Sequence, residues 1–234
     1  PDKNVSLMIM EEDHIRLQVI MGGYRLDEAL QKANDIDDAL QEKLNFAFDE
    51  ELGFLTACPT NTGTGLRASV MLHLPALSIT DSIPRIATSA GKLGIAVRGF
   101  YGEGSKAEAS FYQISNQITL GVNAKDIFDK FSQIMDMIIN AEETLREKIK
   151  KSISPQLQDK IMRSEGTFKS AYMISGSEYL SLLSLVRMGT YLGICSGDIL
   201  KLKKLWIETS PCHLKEASAQ KRDIKRAEII KNSL

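Results

Sequence analysis

The chain has few of the residues that would fix a fold covalently or hold it in a membrane. Its 234 residues include three cysteines, Cys58, Cys195 and Cys212. The number is odd, and neither a Cys-x-x-Cys pair nor Cys/His ligand spacing occurs. A disulfide framework and a structural zinc site are therefore disfavoured, and a reducing, cytoplasmic setting is expected. No apolar run approaches the roughly 18 residues of a membrane helix, and no signal peptide opens the chain, so no membrane partner is expected. There is no initiating methionine; Pro1 leads straight into strand-like sequence, which suggests a piece of a longer protein. Hydrophobic residues at 43% and charged residues at 25% exclude disorder and collagen-like or low-complexity classes.

Net charge is also nearly absent, at −1, but it is unevenly spread. Residues 1–145 hold 12 Lys+Arg and 21 Asp+Glu, a balance of −9, whereas residues 146–234 hold 17 and 9, a balance of +8. The split points to two units, 1–150 and 151–234, with different partners. Basic character in the second admits nucleic acid, an acidic partner, a phosphorylated ligand or simply solvated helix faces.

Alternating apolar residues predict a strand, with a bend, over 5–20, and helical spacing covers 26–48. A short strand over 54–57 ends at Cys58-Pro59. Helices are expected over 66–74, where Pro75 limits the first, and over 81–92; a strand starts at Ile95. Residues 111–120 alternate as a half-buried antiparallel strand, with Tyr112, Ile114, Ile118 and Leu120 on one face. Asn123 caps the longest helix, and beyond Pro155 everything reads as helix, with breaks near Gly166, Gly176, Gly193–Gly197 and Pro211. The expected fold class is α+β, an antiparallel sheet flanked by helices, followed by an all-α C-terminal domain.

Three segments of the first unit carry chemistry. In Glu11-Glu12-Asp13-His14-Ile15-Arg16, strand geometry puts Glu12, His14 and Arg16 on one face and Asp13 on the other. A carboxylate and an arginine there either pair at an edge or meet a ligand. Cys58-Pro-Thr-Asn-Thr-Gly-Thr-Gly65 would end a strand in a thiol and feed a helix start with Arg67 in its first turn, an anion-binding arrangement without the lysine of a P-loop. Either that or a buried structural cysteine before an ordinary turn fits the pattern. Val97-Arg98-Gly-Phe-Tyr-Gly-Glu103-Gly-Ser105 is a glycine loop able to wrap a ligand.

In this order and spacing the three blocks resemble the ATP:guanidino phosphotransferases, the family of arginine and creatine kinases. The unbroken Arg-Ala-Ser-Val-Met (67–71), Arg-Gly-Phe-Tyr-Gly-Glu (98–103) and the helical tail look more like the bacterial protein-arginine kinases. The resemblance implies ATP as phosphoryl donor, with Mg2+ bound through its phosphates and Glu11 and Asp13 at most touching its waters. It implies Glu12 as base, Glu103 as second carboxylate and Cys58 as an assisting thiolate. Arg16, Arg67 and Arg98 occupy phosphate-binding positions. The nucleotide-contacting stretches correspond to Arg67, Ala68, Ser69, Val70 and Met71, and to Arg98, Gly99, Phe100, Tyr101, Gly102 and Glu103. Two departures stand out: Met10 replaces the family's usual asparagine, and an upstream Arg-x-Arg motif is not in this chain, which implies an inactive fragment of an active enzyme.

In the tail, Arg222 and Arg226 lie four apart on one helix face with Asp223 beside them, a set able to grip phosphate and guanidinium. The motif Arg222-Asp223-x-x-Arg226-Ala227 resembles the phosphoarginine pocket of protein-arginine kinases. A solvated basic helix with an internal ion pair is the plainer alternative. Lys201, Lys203 and Lys204 are expected on a surface face, His73 and His213 as structural, and Cys195 and Cys212 as small core residues. The Met and Leu positions in 173–192 form core or a dimer face. Three functions compete: a kinase of arginine side chains in proteins, a small-guanidine phosphagen kinase, and a non-catalytic phosphoarginine-binding module. The first would imply arginine-bearing protein substrates, a zinc-binding activator, a Clp ATPase and a homodimer through the C-terminal domain.

Overall fold

The computed structural model describes residues 4–99 and 108–233. The expected strand over 5–20 is a hairpin: β1 (Val5–Glu11) pairs antiparallel with β2 (Asp13–Val19), Ile9 facing Ile15 and Glu11 facing Asp13. Glu12 is therefore the turn tip rather than a strand residue, and its φ of +65° is left-handed, as is that of Met10 at +61°. Helix α1 (Leu26–Gln41) stops before the expected 48, because Phe48 joins a small hairpin, β3 (Phe48–Asp49) with β4 (Gly53–Phe54).

The helix expected over 66–74 is a strand. Strand β5 (Ser69–His73) is followed directly by α2 (Pro75–Ile79), with proline at the first helical turn. Its neighbour supplies the reason: Leu74 N donates to Ser110 O and Asn116 N to Ala68 O, an antiparallel ladder that local helical spacing cannot foresee. Helix α3 (Ile83–Gly91), strand β6 (Ile95–Gly99) and strand β7 (Phe111–Asn116) follow, and the sheet order is β5-β7-β6. Among the described residues the expected antiparallel sheet is thus divided among three small sheets. Central β7 is buried on both faces, Ser115 included, rather than half-buried, and it ends at Asn116.

Helix α4 (Ala124–Lys151) starts where Asn123 Oδ1 accepts the Asp126 N–H at 2.7 Å. The rest is helical: α5 (Pro155–Ser170) capped by Ser154, α6 (Gly176–Leu192) capped by Ser175, α7 (Ile199–Glu208), α8 (Pro211–Leu214) and α9 (Ala219–Ser233). Gly166 does not break α5; it lies inside the helix.

Chain contacts divide the molecule into two interleaved units: residues 1–70, 89–97 and 114–136, and residues 71–88, 98–113 and 137–234. The first buries Ile95, Ala96, Ile114, Ile127, Phe131 and Met135. The second is built on Phe168, Ile174, Tyr179, Leu183, Val186, Leu202, Leu205 and Ile230. Most apolar positions of α6 are therefore core, while Met173 is 45% exposed. Among the described residues no helix is long and apolar enough to cross a membrane.

Candidate functional site

The first unit brings two of the three chemistry-bearing segments together through Asp13. Its Oδ1 accepts the backbone N–H of Cys58 at 3.1 Å, and its Oδ2 accepts Asn61 Nδ2 at 2.7 Å, across more than forty residues of sequence. Partial burial raises the Asp13 pKa, but the hydrogen bonds from Asn61 and from the Cys58 and Ala57 backbone, with the Arg16 charge, outweigh it and leave the carboxyl below its ordinary value. The residue that joins the acidic turn to the thiol loop is thus the one that strand alternation turns away from Glu12.

Glu12 and Arg16 form an ion pair, Oε2 to Nη1 at 3.5 Å, with side chains 47% and 42% exposed. A pair so exposed holds little energy of its own, and both groups stay accessible to a ligand. Cys58 is half-buried, with Sγ 3.1 Å from Thr60 Oγ1. The turn after it, Pro59–Asn61, is a single 3-10 turn and leads to β5, so no helix start follows the loop and Arg67 is not in a helix.

The loop and Arg67 are held from the far end of β7. Asn116, 6% exposed, accepts the Ala68 N–H on Oδ1 at 2.7 Å and donates from Nδ2 to Leu66 O at 3.0 Å and Ile118 O at 3.2 Å. Thr119 Oγ1 lies 3.0 Å from Thr60 O and 2.8 Å from Thr62 O, and Thr119 O accepts the Thr64 N–H at 2.9 Å. Gly63 passes so close that a Cβ there would sit 2.1 Å from Thr119 O, and its φ of +112° suits glycine alone. Sequence reasoning overlooked Asn116 and Thr119. For Asn116 the available signal was its register, which sets a polar residue on the apolar face of Tyr112, Ile114, Ile118 and Leu120.

Ala68 is buried, Ser69 exposed, Val70 half-buried and Met71 41% exposed, as suits an edge strand. Arg98 is half-buried near the end of β6, and Gly99, its last residue, is buried. Phe100, Tyr101, Gly102 and Glu103 lie outside the described residues. Elsewhere in the first unit a cleft of about 420 Å³ is lined by Tyr24, Asp27, Phe128, Asp129 and Asp136 among others; no residue expected from the sequence lines it.

In the second unit the tail motif is only partly as expected. Arg222 and Arg226 do not offer a shared open face. Arg226 is 3% exposed, and its guanidinium donates to Thr209 O at 3.1 Å, Ile174 O at 2.7 Å and Asp223 Oδ1 at 2.6 Å. Three acceptors from its own chain satisfy a charge that burial would otherwise penalise. Arg222 is half-buried and donates to Glu216 O at 3.0 Å, and Ala227 is fully buried. Cys195 is buried, and burial raises its thiol pKa to about 11. Cys212 is exposed rather than core, within 3.3 Å of His213 Nδ1. His73 is structural, its Nε2 2.9 Å from Ser184 Oγ and its ring against Phe111.

Comparison with known proteins gives these residues a setting. Residues 1–145 match the family model of the ATP:guanido phosphotransferase C-terminal catalytic domain, and residues 154–234 that of the protein-arginine kinase McsB C-terminal domain. A protein-arginine kinase of Caldanaerobacter subterraneus subsp. tengcongensis is 44% identical over 238 residues, covering all of this chain and 71% of that protein. One of Clostridium acetobutylicum is 47% identical over 240 residues, covering all of this chain and 70% of that protein. Among solved structures, the duplicated taurocyamine kinase of Schistosoma mansoni superposes with a TM-score of 0.57 at 31% identity, over 76% of this chain and 25% of that one. A lombricine kinase superposes at 0.56 and 28% identity, over 63% of this chain and 41% of that one.

Proposed function

The chain belongs to the ATP:guanido phosphotransferases, among the protein-arginine kinases, and from that premise we propose that it carries the part of the enzyme that transfers phosphate from ATP to arginine side chains in proteins. The supporting observation is the Asp13 bridge, which fixes the Cys58 loop against the turn that presents Glu12.

A guanidinium attacks poorly because its lone pairs are delocalised and its pKa exceeds about 12. Glu12 at an exposed turn tip can orient the arginine fork and take the proton as an Nη–P bond forms and the bond from the γ-phosphorus to ADP breaks. Cys58 would lie against the guanidinium, and Glu103 would be the second carboxylate. Arg16, Arg67 and Arg98 would hold phosphate oxygens, where positioning and positive charge supply most of the rate. Arg16 would exchange its exposed pairing with Glu12 for the nucleotide. The stretches 67–71 and 98–103 would line the nucleotide.

Mg2+ fits as a companion of the nucleotide. Asp13, whose oxygens accept from Cys58 N and Asn61 Nδ2, would at most meet the ion's waters. The ion characteristically keeps waters and binds phosphates, neutralising their charge.

In the tail, Arg222 would take the phosphate of phosphoarginine. Asp223, whose Oδ1 is held by Arg226, would offer Oδ2 to its guanidinium. A division at about residue 150, a homodimer through the helical domain, a zinc-binding activator, a Clp ATPase that receives marked substrates, and a cytoplasmic site of action complete the proposal.

Glu12→Gln in the full-length protein tests the assignment. Loss of a general base costs about 10²–10⁴ in rate, while ATP affinity should stay within about twofold. Phosphorus NMR with a loosely folded protein and with free arginine should show phosphorylation of the protein. Near wild-type turnover of Glu12→Gln, or preference for free arginine, would refute the assignment.

A further inference from the structure

We infer that Asn116 is a positioning residue for Arg67: its side-chain amide fixes the backbone on both sides of that arginine and so sets where the guanidinium reaches. The inference rests on the placing of Arg67 at the nucleotide phosphates. The Leu66 carbonyl belongs to the peptide unit before Arg67 and the Ala68 N–H to the unit after it. Asn116 holds both, by Nδ2 at 3.0 Å and Oδ1 at 2.7 Å. Two anchored peptide planes leave Arg67 little freedom in φ and ψ, since rotation about either bond would pull one of them off the amide. The orientation of the amide follows from its partners, one N–H on the oxygen and two carbonyls on the nitrogen.

Asn116 can do this because it is itself immobile. It is 6% exposed, its backbone N–H donates to Ala68 O, and its amide also donates to Ile118 O. A buried polar side chain with every group paired is rigid and costly to disturb. Arg67 lies two residues before β5 begins, where the ladder reaches no nearer than the Ala68 carbonyl and does not hold the peptide units on either side of Arg67. A phosphate-binding arginine needs its fork placed within a fraction of an ångström, and in this segment the amide does the work that a strand would do elsewhere.

The test is a double-mutant cycle in the full-length protein, read by calorimetric titration with ATP, with thermal melts in parallel. Arg67→Ala should weaken ATP binding about tenfold or more, as expected for a charge-assisted contact. Asn116→Ala should weaken it about three- to tenfold, and in the Arg67→Ala background its effect on ATP binding should fall below about twofold. Asn116→Asp, which can still accept from Ala68 but faces two carbonyls with a carboxylate, should lose at least as much ATP affinity. If Asn116→Ala does not fold, Asn116→Ser takes its place in the cycle. A folded Asn116 variant with lowered melting temperature but unchanged ATP affinity, or with effects additive to those of Arg67→Ala, overturns the inference and leaves the proposed function standing. Unchanged affinity in Arg67→Ala would instead remove Arg67 from the nucleotide site, and the inference with it.

Discussion

Glu142 offers the sharpest stability test, because one buried carboxylate serves three donors. It lies on α4, and its side chain is 4% exposed. Its oxygens accept the first free N–H groups of α2, from Ala76 at 3.0 Å and Leu77 at 2.9 Å, and the Arg146 Nε at 2.6 Å. Arg146 in turn donates to His73 O at 2.8 Å, so the pair fastens the end of β5 and the start of α2 to the long helix. Glu142→Ala strips an acceptor from two backbone donors and leaves a guanidinium that is only 20% exposed without its counter-charge. Removing one partner of a buried pair costs about 3–5 kcal/mol. At about 2–4 °C per kcal/mol for a chain of this size, the melting temperature should fall by about 6–20 °C. Trp206 is the sole tryptophan, sits in the same unit and packs on Phe111 at 4.7 Å, so its fluorescence reports urea unfolding there. Glu142→Gln keeps one acceptor oxygen and should lose about half as much. A loss below about 1 kcal/mol in Glu142→Ala would show that water replaces the carboxylate and that the three bonds are not what holds α2.

Two further outcomes follow from other groups. Burial, and then the charges of Arg187 and Arg146, hold the His73 pKa well below its usual value, so the folded state keeps the ring neutral while the unfolded state takes up a proton. Stability should therefore be full above about pH 6.5 and decline as pH falls below it, and His73→Gln should flatten that part of a urea-midpoint profile; an unchanged profile would remove His73 as the cause. Met10→Asn should stabilise the β1–β2 hairpin by up to about 1 kcal/mol, because Asn tolerates the left-handed backbone at φ +61° better than Met, and thermal melts showing destabilisation would contradict it.

Much of the helical architecture was legible because its signals are local. Asn123, expected as a cap, accepts the Asp126 N–H at the start of α4, and Ser154 and Ser175 do the same for α5 and α6. The failures share a non-local cause. Leu66, Val70 and Leu74 are four apart and look helical, yet the segment is drawn out by hydrogen bonds to β7, forty residues away. Gly166 looked like a break, but α5 runs through it: an interior glycine costs only about 1 kcal/mol, which the packing of Ile161 and Phe168 on the same helix outweighs. The site followed the same rule. Glu12 and Cys58 stood out by chemical type, whereas Asp13 and Asn116 act on backbone groups far along the chain. Alternation puts Asn116 in register with Tyr112, Ile114 and Ile118 on the apolar face, but the backbone groups it serves lie some fifty residues back in the chain, and only the fold brings them to it.

The tail motif shows why such distinctions decide which substitutions are informative. Arg222-Asp223-x-x-Arg226-Ala227 reads as one recognition unit, but its members live in different environments. Ala227 is core and Arg226 is buried among the Thr209 and Ile174 carbonyls, so replacing either disturbs the packing of α9 before any ligand is considered. Loss of phosphoarginine binding in an Arg226→Ala protein would therefore carry no information about contact with the ligand. Arg222 differs: its two acceptors are the Glu216 and Ala217 carbonyls, which stand before α9 and can be re-solvated when the guanidinium leaves. Asp223 lies between these cases, since one oxygen is committed to Arg226 and the side chain keeps 19% exposure. Half of the motif thus builds the helix end that the other half presents, and only Arg222 can be altered with the fold held constant.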